Sequence, residues 1–165
     1  MLRSHLKSLV LILSVALLTS GCAVGFDAAT NQQKASGNGR TANVGDIQVR
    51  NALIVRDKQN PTRGTFVGTI INSGPEVDEF IGLGIDPNAG KTFPNSTKLE
   101  SQAAASFGLT GQLSLPIELK PSVVAGSFVA VQLNFAQNES IPMSLLVENN
   151  DGVYADVIVG SVIVD

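Results

Sequence analysis

From Val44 onward, apolar and polar residues alternate with a period of two, the signature of half-buried strands. Ile47, Val49, Leu53 and Val55 fall on one face and Gln48, Arg50 and Arg56 on the other, with Asn51 interrupting the apolar side. Asp57 to Gly64 (DKQNPTRG) is turn chemistry broken at Asn60-Pro61, and Thr65 to Asn72 (TFVGTIIN) resumes a strand. After Ser73-Gly74-Pro75, the residues Val77, Ile81, Leu83 and Ile85 alternate against Asp78, Phe80, Gly82 and Gly84, which predicts the first set inward. Asp86 to Ser101 is loop-like, and Ala103-Ala104-Ala105 fits either a short helical turn or a plain connection. Leu113, Leu115, Ile117 and Leu119 alternate again, with Pro116 marking an edge or a bulge. Phe128 to Phe135 and Ile141 to Glu148 are two further strands. The Asn149-Asn150-Asp151-Gly152 turn then leads into an expected strand over Val153 to Val159.

Seven or eight short strands, punctuated by Gly, Pro and Asn and without an amphipathic helix, predict an all-β fold, an antiparallel β-sandwich. The pattern stops short of the N-terminus. Ala23 to Asn43 is small and polar with no apolar period and reads as a flexible tether of roughly 25 Å r.m.s. reach.

Ahead of the tether lies an export signal: Arg3 and Lys7 open it, and Leu9 to Leu18 is an apolar run too short to span a bilayer. It closes on Leu18-Thr19-Ser20-Gly21-Cys22, a lipobox, with the small residue Gly21 just before the cysteine where the signal peptidase must reach. The expected organisation is a removed leader over 1–21, a lipidated tether over 22–43 beginning at Cys22, and a sandwich domain over 44–165. The protein is then held by its lipid on the extracytoplasmic face of the cell membrane, two acyl chains sufficing for stable anchoring.

Composition narrows function mainly by exclusion. The chain has 11 basic and 14 acidic residues with no basic cluster, so nucleic acid is not an expected partner and adhesion to anionic lipid by charge alone is not expected either. The sole cysteine, once acylated, leaves no thiol for a disulfide or for redox chemistry. The one histidine, His5, leaves with the leader, and there is no Trp. A domain without imidazole has no Ser-His-Asp or Cys-His machinery and no imidazole metal site. No catalytic residue, metal site or cofactor is therefore expected.

Three local patterns imitate sites. Gly84 to Thr92 resembles a phosphate loop, but five residues separate its glycines where four are needed, and Phe93-Pro94 blocks the required helix. Glu76, Asp78 and Glu79 form the densest acidic cluster, a Ca²⁺ candidate that reads more simply as a solvated turn. Met143 alternates with Ile141, Leu145 and Val147, as a core gap-filler would. The sequons at Asn95 and Asn138 carry no weight behind a bacterial lipobox.

Several segments together carry a family resemblance: Val44 to Ala52 (VGDIQVRNA), Phe66 to Gly74 (FVGTIINSG), Asp78 to Ile81, Gly126 to Phe135 (GSFVAVQLNF) and Ile141 to Val147. Their order resembles the LpqE-type actinobacterial lipoproteins, which are similar to PCuAC-type periplasmic copper chaperones. The resemblance implies a cupredoxin-like or immunoglobulin-like Greek-key sandwich. It also implies copper handling through His and Met ligands, but the segment where the His-x-Met pair is expected reads Ala105 to Gly111 (ASFGLTG), and Met143 falls in a later strand. The function expected is thus a non-catalytic interaction or binding module contacting an envelope protein or a small ligand, with extracytoplasmic copper handling as the alternative.

Overall fold

Ten strands and one 3-10 turn make up the computed structural model, which describes residues 37–110 and 112–160. Gly21, Cys22, the leader and most of the tether lie outside the described residues. The strands are β1 (Arg40–Val44), β2 (Ile47–Arg56), β3 (Arg63–Asn72), β4 (Asp78–Ile85), β5 (Gly90–Thr92), β6 (Thr97–Leu99), β7 (Ala103–Phe107), β8 (Pro116–Leu119), β9 (Phe128–Phe135) and β10 (Ile141–Asn149). They join in the order β5-β8-β3-β2-β10-β9-β4-β6, with β1 added to β2 and β7 to β3.

This sheet curls on itself so that its two halves share one core. Phe66 on β3 and Phe107 on β7 meet edge to face at 5.7 Å between centroids, Phe107 meets Phe80 on β4 at 5.8 Å, and Phe80 meets Phe135 on β9 at 5.7 Å. The all-β expectation holds, but the sheet is mixed where an antiparallel sandwich was expected. Val147, Glu148 and Asn149 of β10 run parallel to Ile54, Val55 and Arg56 of β2, whereas the rest of β10 pairs antiparallel with β9. One strand thereby serves both halves.

Two bulges explain where simple alternation fails. In β2 the register with β3 shifts between Arg50 and Leu53, around Asn51, whose φ of 51° is one that Asn tolerates better than branched residues. The extra residue puts Ala52 and Ile54 in the main core with Ile47 and Val49. Leu53 and Val55, expected on that same face, instead join Val67 and Val157 in a second cluster on the sheet's other side. In β4 the register with β9 shifts between Phe80 and Gly82. Before it, Asp78 and Phe80 are buried while Val77, Glu79 and Ile81 face solvent, the reverse of the predicted face. After it Leu83 points inward as expected, and Gly82 sits at φ 131°, a region glycine enters without a Cβ penalty.

Other differences are local. The sheet starts at Arg40, within the segment read as tether. Asp86 to Ser101 contains the short strands β5 and β6, and Ala103 to Phe107 is a strand paired with β3. Pro116 is the first residue of β8, where a missing N–H costs least. Val153 to Val159 is not a regular strand: a 3-10 turn occupies Gly152–Tyr154, and an isolated bridge joins Val157 to Leu109. That passage lays Val157, Tyr154 and Val159 over Leu53, Val55 and Val67. The clustered Asn, Asp and Gly residues there favour tight turning over extension.

Candidate functional site

The described residues contain neither His nor Cys, and their only methionine is Met143. On β10, Met143 is partly buried against the main core, as its alternation predicts. The stretch expected to hold a His-x-Met pair does structural work instead. Ala105 and Phe107 are buried, and Phe107 bridges Phe66 and Phe80. Gly108 follows at φ 105°, where a Cβ would lie 2.7 Å from the Val67 side chain, so the turn out of β7 admits only glycine comfortably. Gly111 lies outside the described residues.

Around Asp78, the acidic cluster resolves into a buried carboxylate and two outlying acids. Asp78 is 4% exposed. One of its oxygens accepts from the backbone N–H of Glu79 at 2.7 Å and of Gln137 at 2.8 Å, and the other accepts from Asn138 Nδ2 at 2.9 Å. Desolvation pushes its pKa up, but the donors from Asn138, Glu79 and Gln137 outweigh this and hold the carboxyl below its ordinary range. Asp78 therefore fastens the start of β4 to the β9–β10 turn. Beside it, Asn72 is buried too, donating to the carbonyls of Glu76 at 2.7 Å and Leu99 at 3.0 Å and accepting from the Gly74 N–H at 3.0 Å. Sequence reading missed Asn72, which has no motif and shows its role only through partners on other strands. Among the described residues no group of three His, Cys, Asp or Glu side chains is gathered to hold a metal ion.

The phosphate-loop imitation is a turn. Asp86 accepts from the N–H of Asn88 at 2.8 Å through its side chain, and its carbonyl accepts from Ala89 at 2.8 Å and Gly90 at 3.1 Å. The chain then enters β5 directly, so no helix N-terminus faces a phosphate.

Two open clefts offer room for small-molecule contact. One, of about 360 Å³, lies beside Asp78 and is lined by Val77, Glu79, Lys98 and Gln137. The other, of about 280 Å³, lies across β4, β9 and β10 between Gly84, Asp86, Gln132 and Pro142. Neither gathers a nucleophile with a base, and Asp78 spends its lone pairs on internal donors.

Comparison with protein-family profiles and with curated proteins finds no match. Among solved structures the chain is similar to the copper-bound PCuAC domain from PmoF2, at TM-score 0.57 and 14% identity, covering 67% of this chain and 98% of that domain. It is likewise similar to the apo PCuAC domain from PmoF1, at TM-score 0.56 and 13% identity over 67% and 99% of the two chains. The apo PmoF2 PCuAC domain matches at TM-score 0.52 and 16% identity over 68% and 98%. At such identities the likeness is one of fold: this chain folds as PCuAC domains do.

Proposed function

We propose that this chain is a non-catalytic cell-envelope lipoprotein, a PCuAC-like β-domain tethered through acylated Cys22 to the extracytoplasmic face of the membrane, acting by contact with a protein or small ligand. The observation that carries the reading is a copper-chaperone fold without the chaperone's donors. Cu(I) favours thioether, thiolate and imidazole, and the described domain offers the single thioether of Met143. The membrane link rests on the lipobox ending at Gly21-Cys22. No helix among the described residues is long and apolar enough to cross a membrane. Cys22→Ala is expected to move the protein from the detergent phase to the aqueous phase of a partition assay with its circular-dichroism spectrum unchanged. Retention in the detergent phase refutes the anchor.

Extracytoplasmic copper handling is the second reading, favoured by the three PCuAC neighbours, one of them copper-bound. The full chain incubated with Cu(I) and desalted is expected to retain no stoichiometric metal. Stoichiometric retention that Met143→Leu abolishes would establish copper handling over the contact role.

A further inference from the structure

Asn38-Gly39 is the one Asn-Gly pair in the chain, and it lies in the bend that leads into β1. Packing demands the glycine. A Cβ at Gly39 would lie 2.6 Å from the Asn51 Cα, so the bend sits flush on the bulge of β2 and a larger residue does not fit. Asn38, by contrast, is exposed. Its Nδ2 donates to Glu148 Oε1 on β10 at 3.3 Å, the one hydrogen bond its side chain makes among the described residues.

These two residues hold the parts of a reaction. The Gly39 N–H donates to no acceptor among the described residues, and Gly39 has no side chain to obstruct an approach to Asn38 Cγ. When the Gly39 nitrogen attacks, the N–Cγ bond forms and the Cγ–Nδ2 bond breaks. The proton lost from Gly39 leaves with the amide nitrogen as ammonia. Water then opens the succinimide ring at either carbonyl, leaving aspartate or isoaspartate at position 38.

Other asparagines are held back. Asn72 is 1% exposed, and its amide is spent on the carbonyls of Glu76 and Leu99. The N–H following Asn88 donates to the Asp86 carbonyl at 2.8 Å, and the N–H following Asn150 to the Asn149 carbonyl at 2.9 Å. Pro61, after Asn60, has no N–H to lose. Asp151-Gly152 could close the same ring only on a carboxylate, a poorer electrophile than an amide, and that carboxylate is ion-paired with Lys58 at 2.8 Å.

We propose that Asn38 is a deamidation site built into the entry of β1, and that its product carboxylate, set against Glu148, frees the bend from β10. Two facing carboxylates replace a hydrogen bond, and the isoaspartate form also lengthens the backbone where it lies flush on Asn51. Since β1 pairs with β2 from Ile47 to Ala52, loosening its start uncovers the edge of β2 at the bulge.

The test ages the full chain in mildly alkaline buffer and digests it with trypsin, which cuts after Lys34 and Arg40 and isolates position 38 in the peptide Ala35–Arg40. Chromatography with mass spectrometry separates the asparagine, aspartate and isoaspartate forms. This peptide is expected to lose its asparagine form while Asn72, Asn88 and Asn150 keep theirs, faster as pH rises because Gly39 must lose its proton. Asn38→Gln, which would need a larger ring, is expected to keep its amide. Conversion no faster at Asn38 than at those three asparagines overturns the site. Hydrogen exchange over β1 is expected to be about fivefold faster in Asn38→Asp, the factor that one like-charge contact in water is worth, and to return to the wild-type rate when Glu148→Gln is added. Unchanged exchange in Asn38→Asp, or fast exchange that persists with Glu148→Gln, overturns the release even where conversion occurs.

Discussion

Asp78 shows how one buried charge becomes a structural fastener. Its three donors come from Glu79, Gln137 and Asn138, so removing the charge leaves N–H groups of the β9–β10 turn short of an acceptor. Asp78→Ala is expected to lower stability by about 2–3 kcal/mol in urea unfolding at neutral pH, the range for bonds to charged groups. The pH dependence follows in sign. The folded carboxyl titrates below its unfolded value of 3.8, so its contribution is present above that value and disappears as pH falls through the lower folded one. The wild type should lose more stability than Asp78→Ala on acidification below about pH 4, converging toward it. Equal losses would mean that Asp78 is not the group responsible. Asn51 poses a backbone question instead. At φ 51° a β-branched side chain is strained, and Asn51→Val is expected to cost about 1–3 kcal/mol, while Asn51→Gly stays close to wild type in the same assay.

Among the elements, β2 and the passage after β10 depend on each other. The bulge at Asn51 turns Leu53 and Val55 out of the main core, and they would be wetted on the sheet's outer face without Val157, Tyr154 and Val159 across them. Val157→Ala removes two buried methyl groups, an expected cost of roughly 1.5–2.5 kcal/mol in chemical unfolding, with increased hydrogen exchange over Val153 to Val159. Strands β2, β4, β9 and β10 were readable from apolar residues recurring at spacing two, and β3 from its run of Thr, Phe, Val and Ile, each bounded by turn residues. β5 and β6 were not, being three residues each and ordered by pairing with β8 and β4 rather than by their own pattern. Ala103 to Ala105 was undecidable for a related reason, since alanine accepts helix or strand and the β3 edge chose strand.

Across the whole domain, the aromatic chain Phe66, Phe107, Phe80, Phe135 couples the two halves of the curled sheet, and β10 joins them covalently by serving both. Phe107→Ala empties the centre of that chain, and a loss of about 3–5 kcal/mol is expected, in a single cooperative transition because both halves lean on the same ring. Two separate transitions in calorimetry would contradict the shared core. At this scale the candidate site was the least legible part. Sequence named Asp78 only as one acid of three, and nothing local foretold that the chain would bring Gln137 and Asn138 to it from 60 residues away.

The sequence by itself determined the all-β class, the position of most long strands and a described domain whose soft donors come down to Met143, because these depend on local period, local spacing and residue type. Tertiary structure alone decided the parallel pairing of β10 with β2, the faces that Asn51 and the Phe80–Gly82 bulge invert, and the burial of Asp78. The physical reason is one of range: a one-residue bulge reverses every side chain beyond it, and which end a charge occupies depends on strand pairings between residues far apart in the chain.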